Sequence, residues 1–148
     1  MAIVGLLAAD LAVFGFLSFV SKGGHEVAGA QATAVRQVDH SQDAAAQSSL
    51  RNAMTGAKTL YMDNLTYEGL SAADLARIEP SLTYTDGPST NLSTISVAFE
   101  ADAVAMAALS PSGTCFTIKD DAATGVTFGS GTECTGQAAL GAATVASW

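Results

Sequence analysis

Residues 26–64 read EVAGAQATAVRQVDHSQDAAAQSSLRNAMTGAKTLYMDN. Val27, Ala34, Val35, Val38, Ala45, Leu50, Met54, Ala57, Leu60 and Tyr61 recur here at steps of three and four, with Gln31, Arg36, Gln37, Asp39, Gln42, Gln47, Asn52 and Lys58 between them. That spacing lays one apolar stripe along a helix. Alanine is abundant and costs little entropy in a helix. The stretch therefore predicts one long helix whose narrow, small-residue stripe packs against a sheet, against neighbouring helices, or against both. Asn64 and Thr66-Tyr67-Glu68-Gly69 mark its end.

Towards the N-terminus, residues 2–21, AIVGLLAADLAVFGFLSFVS, are apolar except for Asp10 and two serines. As a helix, that length just spans a bilayer. Asp10 is the unusual residue, because a carboxylate in hydrocarbon costs at least about 2.5 kcal/mol. Either it serves a function there, or it lies near the interface or protonated and is tolerated. Gly23-Gly24 follows, and two adjacent glycines weaken a helix by roughly 1 kcal/mol each. They are read as a break between the apolar segment and the long helix.

Towards the C-terminus the composition shifts. Ser71 with Asp74 has the pattern of a capping box, opening a short helix over Ala72–Ile78 that ends before Pro80. Strand candidates follow near Leu82–Thr85, Ile95–Phe99, Val104–Leu109, Cys115–Lys119 and Gly125–Gly129, separated by turn signals such as Asp86-Gly87-Pro88 and Ser110-Pro111-Ser112-Gly113. Asp120-Asp121-Ala122-Ala123-Thr124 reads as a hairpin joining the last two. The tail from Ala138 to Trp148 is small and apolar, with Trp148 as an anchor or closing-strand residue. The fold class is α+β: a long N-terminal helix, apolar at its start, packed on a small antiparallel sheet. Its organisation is an anchor over 1–24, an amphipathic continuation over 25–64 and a β-rich head over 65–148.

The chain has 148 residues, the size of one domain, and 49% of them are hydrophobic. Its net charge of −8 disfavours direct contact with nucleic acid. No GxxxxGK[ST] loop and no GxGxxG after a strand is present. The histidines, His25 and His40, lie on the helical stretch without a metal-site pattern. Sequential neighbours on a helix do not face one another, so Asp39-His40-Ser41 forms no catalytic triad. Asp120-Asp121 is at most a weak cation site, because acids are common in turns. The expectation is a chain that is not an enzyme and needs no cofactor or metal.

Two cysteines, Cys115 and Cys134, stand behind this export-type N-terminus. They read as a disulfide in an oxidising compartment, the alternative being two buried thiols. The bond would close a loop of about 20 residues and contribute on the order of 3 kcal/mol.

The stretch Asp43-Ala44-Ala45-Ala46-Gln47-Ser48-Ser49-Leu50-Arg51-Asn52-Ala53 resembles bacterial type IV pilins and pseudopilins. So do Ala57-Lys58-Thr59-Leu60-Tyr61-Met62-Asp63-Asn64, Thr66-Tyr67, Gly113-Thr114-Cys115-Phe116-Thr117-Ile118-Lys119-Asp120, and a second cysteine before an Ala-rich tail ending in Ser147-Trp148. The resemblance covers residues 43–148 and is generic before them. It implies a subunit that polymerises through its N-terminal helix into a surface filament and sits in the membrane before assembly. The implied partners are further copies, a prepilin peptidase, an assembly ATPase and a membrane platform. It also implies cleavage between Gly5 and Leu6, which puts Asp10 at the fifth mature position, where the family's carboxylate pairs with a neighbour's N-terminal amine. If the mature chain starts at Met1 instead, Gly5 holds that place. The anchor has no proline, and Gly23-Gly24 would supply the break. Other readings are a minor pilin or pseudopilin, or an anchored extracellular ligand-binding domain.

Overall fold

The computed structural model describes residues 24–148, with side chains from residue 32 onward. Gly5, Leu6, Asp10 and Gly23 lie outside the described residues, and Gly24 is the first residue of helix α1. Contacts divide the chain into two units, one ending at Val38 and one running from Asp39 to Trp148. In the first, the side chains of residues 32–38 are all exposed, Val35 by 59%. No helix among the described residues is long and apolar enough to cross a membrane.

α1 runs over Gly24–Asn64. Within the second unit its buried face is Ala46, Leu50, Ala53, Met54 and Ala57, at successive steps of four, three, one and three. The predicted stripe is present from Leu50 onward, whereas Val35 and Val38, assigned to the same stripe, are exposed. α1 stops where Leu65 adopts a left-handed backbone (φ 59°) and donates its N–H to the Tyr61 carbonyl at 2.6 Å. α2, Ala72–Ile78, opens as the sequence predicts. The Asp74 carboxylate accepts from both the Ser71 N–H (2.9 Å) and the Ser71 hydroxyl (2.6 Å). The bond from the Ser71 hydroxyl holds the Asp74 carboxyl below its usual range.

Five strands follow: β1 Thr83–Thr85, β2 Thr94–Phe99, β3 Ala103–Leu109, β4 Cys115–Asp121 and β5 Gly125–Gly131. They form one sheet in sequence order. The expectation of an antiparallel sheet needs correction, because β1 pairs with β2 in parallel and the sheet is mixed. The cause lies in the connecting segment 86–93. The Ser89 N–H bonds to the Cys134 carbonyl (2.8 Å), and the Ser89 hydroxyl accepts from the Leu109 N–H (2.9 Å). These bonds carry the chain past the start of β1 instead of folding it back as a hairpin. The Asn91 side-chain oxygen then accepts from the N–H groups of Ser93 and Thr94 and turns the chain into β2. The β4–β5 hairpin is present as predicted, with Gly125 in the positive-φ position that its three-residue turn needs.

Both faces of the sheet are covered, which is why β3 reads as an unbroken apolar run. On one face, Ile95, Val97, Val104, Met106, Ala108, Phe116 and Ile118 share a core with α1, Tyr67 and Leu75. On the other lies a helix not expected from the sequence, α3 over Gly136–Ala142, in the tail assigned no helix. It packs on β2 to β5. Thr135 caps it by accepting from the Ala138 N–H at 3.1 Å. The residues beneath it are small: Ser96, Ala98, Ala105 and Thr117 alternate with the side chains that face α1. Contact is closest at Gly136, where a Cβ would fall on the backbone of Val97 and Ala98. The Gly136 N–H donates to the Ser96 hydroxyl at 2.8 Å.

Two substitutions test these two faces. Leu50→Ala is expected to lower stability by about 2–5 kcal/mol through the cavity it leaves under α1. Gly136→Ala, which deletes nothing, is expected to destabilise by about 1–3 kcal/mol because α3 must lift off β2. Urea unfolding followed by circular dichroism reads both, and an unchanged midpoint for either would refute the corresponding contact.

Candidate functional site

Of the site residues named from sequence, the structure describes the cysteines in full. Cys115 and Cys134 are joined as a disulfide with Cα atoms 5.4 Å apart, and there are no free cysteines. Cys115 opens β4, and Cys134 stands one residue before the cap of α3. The bond, packed with Ala107 and Leu109, therefore ties α3 and its approach to the sheet.

The polar features with the most developed geometry lie along α1. Lys58 Nζ sits 2.9 Å from Asp120 Oδ1. The other oxygen of Asp120 accepts from the Tyr67 hydroxyl at 2.6 Å. Tyr67 is fully buried and its ring packs 4.7 Å from that of Tyr61. Burial first, then the bond to Asp120, push the Tyr67 hydroxyl well above the usual tyrosine range. Two turns earlier, the Arg51 guanidinium lies 4.8 Å over the Trp148 ring. The Trp148 indole N–H is shared between the carbonyls of Gly129 (2.8 Å) and Thr117 (3.1 Å). Two turns earlier again, Asp43 accepts from the hydroxyls of Ser110 and Ser112, each at 2.6 Å.

Asp43, Arg51 and Lys58 are thus spaced by eight and seven residues along one flank of the buried stripe. Together they join α1 to the β3–β4 turn, the tail and the end of β4. Of the three, only Lys58 is named from sequence among the polar residues between the stripe positions, and none is given a partner. The signal that could have found them is their own helical period, offset from that of Leu50, Met54 and Ala57.

This geometry decides the weaker chemical candidates. Asp120 is committed to Lys58 and Tyr67. Asp121 is committed to the hairpin turn, where Oδ1 accepts from the N–H groups of Ala123 (2.9 Å) and Thr124 (3.1 Å). The bond from Ala123 is the leading cause that holds the Asp121 carboxyl below its usual range. Among the described residues no group of three or more His, Cys, Asp or Glu is placed to hold a metal. His40 borders an open groove of about 600 Å³ with Asp43, Gln47, Phe116 and Trp148.

The chain matches no protein-family model, no curated protein and no solved structure. The class that fold and contacts define is an α+β head built on the second part of a long helix and closed by one disulfide.

The tyrosines make the head sensitive to alkali. Unfolded tyrosine titrates near 10, whereas burial of its hydroxyl and then the nearby Glu79 push folded Tyr84, a half-buried residue, up to about 12, and Tyr67 is also raised. Above pH 10 the unfolded chain therefore sheds protons that the folded chain keeps, and stability falls as pH rises. Below that pH the contribution is fully present. Tyr67→Phe should flatten part of this fall. At neutral pH it should cost about 1–3 kcal/mol, because buried Asp120 loses a donor. Urea midpoints for both proteins from pH 7 to 11.5 check the sign, and parallel curves would rule out Tyr67 as a cause.

Proposed function

We propose that this chain is a structural subunit of a filament of the type IV pilin kind, which polymerises through its N-terminal helix and presents its head outward. One observation carries the reading: α1 is a single 41-residue helix whose later part is built into the head. Its residues 32–38 have exposed side chains, Val35 among them. A long helix whose later part is built into the head suits a subunit whose helices bundle with those of other copies. The apolar run of residues 2–21 supports the same reading, since such a segment packs away from water in a membrane or a filament core. The disulfide fits an oxidising exterior. In this reading the chain works by assembly and is not an enzyme. It sits in the membrane before assembly and on the cell surface after it. Its partners are further copies, a prepilin peptidase that cuts between Gly5 and Leu6, an assembly ATPase and a membrane platform.

Asp10 then pairs with the N-terminal amine of a neighbouring copy, a pairing that makes its burial tolerable and rewards docking in register. Cells carrying the full chain should release sedimenting filaments on shearing. The filament protein should begin at Leu6 and weigh two hydrogens less before reduction than after it. Asp10→Ala should cut filament yield by more than about tenfold at equal total protein, because breaking a buried charge pair costs several kcal/mol. A chain that begins at Met1 and stays in the membrane fraction after shearing would overturn the proposal.

A further inference from the structure

β2 has six residues and its outer neighbour β1 only three. Their parallel register ends at Thr85↔Ser96, a pairing that uses the Val97 N–H. On the other side of β2, the Glu100 N–H donates to the Ala103 carbonyl at 2.8 Å. Bonded and non-bonded pairs alternate along an antiparallel ladder. Ala98, opposite Ala105, therefore bonds β3 as Glu100 does, while Val97 and Phe99 turn their backbone groups away from β3. The next outward carbonyl, Ala101, is occupied by the Tyr67 N–H (3.1 Å) and the Thr66 hydroxyl (2.9 Å). Between these two ends, the Val97 carbonyl and the N–H and carbonyl of Phe99 have no strand beside them among the described residues.

This gap opens into a cavity of about 450 Å³. Glu68, Asp86 and Glu100 line it, all three exposed, with Gln137 beside them and no Lys, Arg or His. An unpaired sheet edge binds extended backbone. An acidic rim selects what that backbone carries. We propose that the slot binds a short, extended, cationic segment of a partner protein by strand addition. Its backbone would continue the ladder at Val97 and Phe99, and its Lys or Arg side chains would reach the three carboxylates. The open length admits about three residues, roughly 10 Å of strand. The described residues of a second copy do not supply this segment. Among the described residues Arg36, Arg51 and Lys58 lie on α1, Arg77 on α2 and Lys119 within β4, so no exposed extended stretch carries a cation. The proposal is independent of the filament reading.

The test uses the full ¹⁵N-labelled chain in detergent micelles, titrated with the peptide Ac-TKVKT-NH2 and with its twin Ac-TEVET-NH2. The lysine peptide should shift the amides of Val97, Phe99 and Ala101. It should slow solvent exchange of the Phe99 N–H by roughly tenfold, as for an amide taken into a ladder. The glutamate twin should do neither. Asp86→Lys with Glu100→Lys, both exposed and outside the core, should abolish the response while leaving the rest of the spectrum in place. If that pair disturbs the fold, Asp86→Asn with Glu100→Gln carries the same test with a weaker loss. No shift at millimolar lysine peptide, equal shifts from both peptides, unchanged Phe99 exchange, or undiminished binding by a folded variant would each overturn the proposal.

Discussion

The contact on which the rest of the molecule depends is between the small-residue face of α1 and the apolar face of β2, β3 and β4. Ala46, Leu50, Ala53, Met54 and Ala57 of α1 are buried in one cluster with Ile95, Val104, Met106 and Ile118 of the sheet. Interiors of this density tolerate little change in volume. Once α1 lies there, the opposite face of the same strands must also be covered, because Ala105 and Ala107 would otherwise face water. The tail supplies that cover as α3, drawn in by the absence of a side chain at Gly136 and held by the disulfide from Cys134.

Apolar contact sets the distance between helix and sheet but leaves sliding and rotation to be opposed by something directional. Asp43, Arg51 and Lys58 supply this, each reaching a different part of the head. Of the three, Lys58 is the one that reaches a buried carboxylate, that of Asp120. It satisfies a carboxylate beneath α1 that would be costly alone, and Tyr67 satisfies the second oxygen. The same interlocking builds the later part of α1 into the head.

The two edges of the sheet are treated differently. Along β5 the tail lies against the strand, with bonds exchanged between Phe128 and both Thr144 and Val145. Along β2 the cover is interrupted between Thr85 and Tyr67. Free sheet edges invite pairing with other chains, and charged side chains are a common means of making that pairing selective. Glu68, Asp86 and Glu100 stand where such selection would act.

Local signals in the sequence determined a good deal. The steps of three and four in residues 26–64, the Ser71–Asp74 cap and the turn clusters around the strand segments are set by short-range geometry. For that reason α1, α2, the five strands and the β4–β5 hairpin are legible from the residues alone. Burial along α1 is legible only in part, since Val35 continues the stripe in sequence yet is exposed. Only the tertiary structure decided the parallel pairing of β1 with β2, because that direction depends on Ser89 meeting Cys134 and Leu109, far away in sequence. It also decided that residues 136–142 are helical, since a short segment rich in Gly and Ala takes its conformation from what it packs on. The roles of Lys58, Asp120 and Tyr67 were hidden for the same reason. A charge or hydroxyl in a sequence shows what bonds it can make, and only the fold shows which partner is within 3 Å and shielded from water.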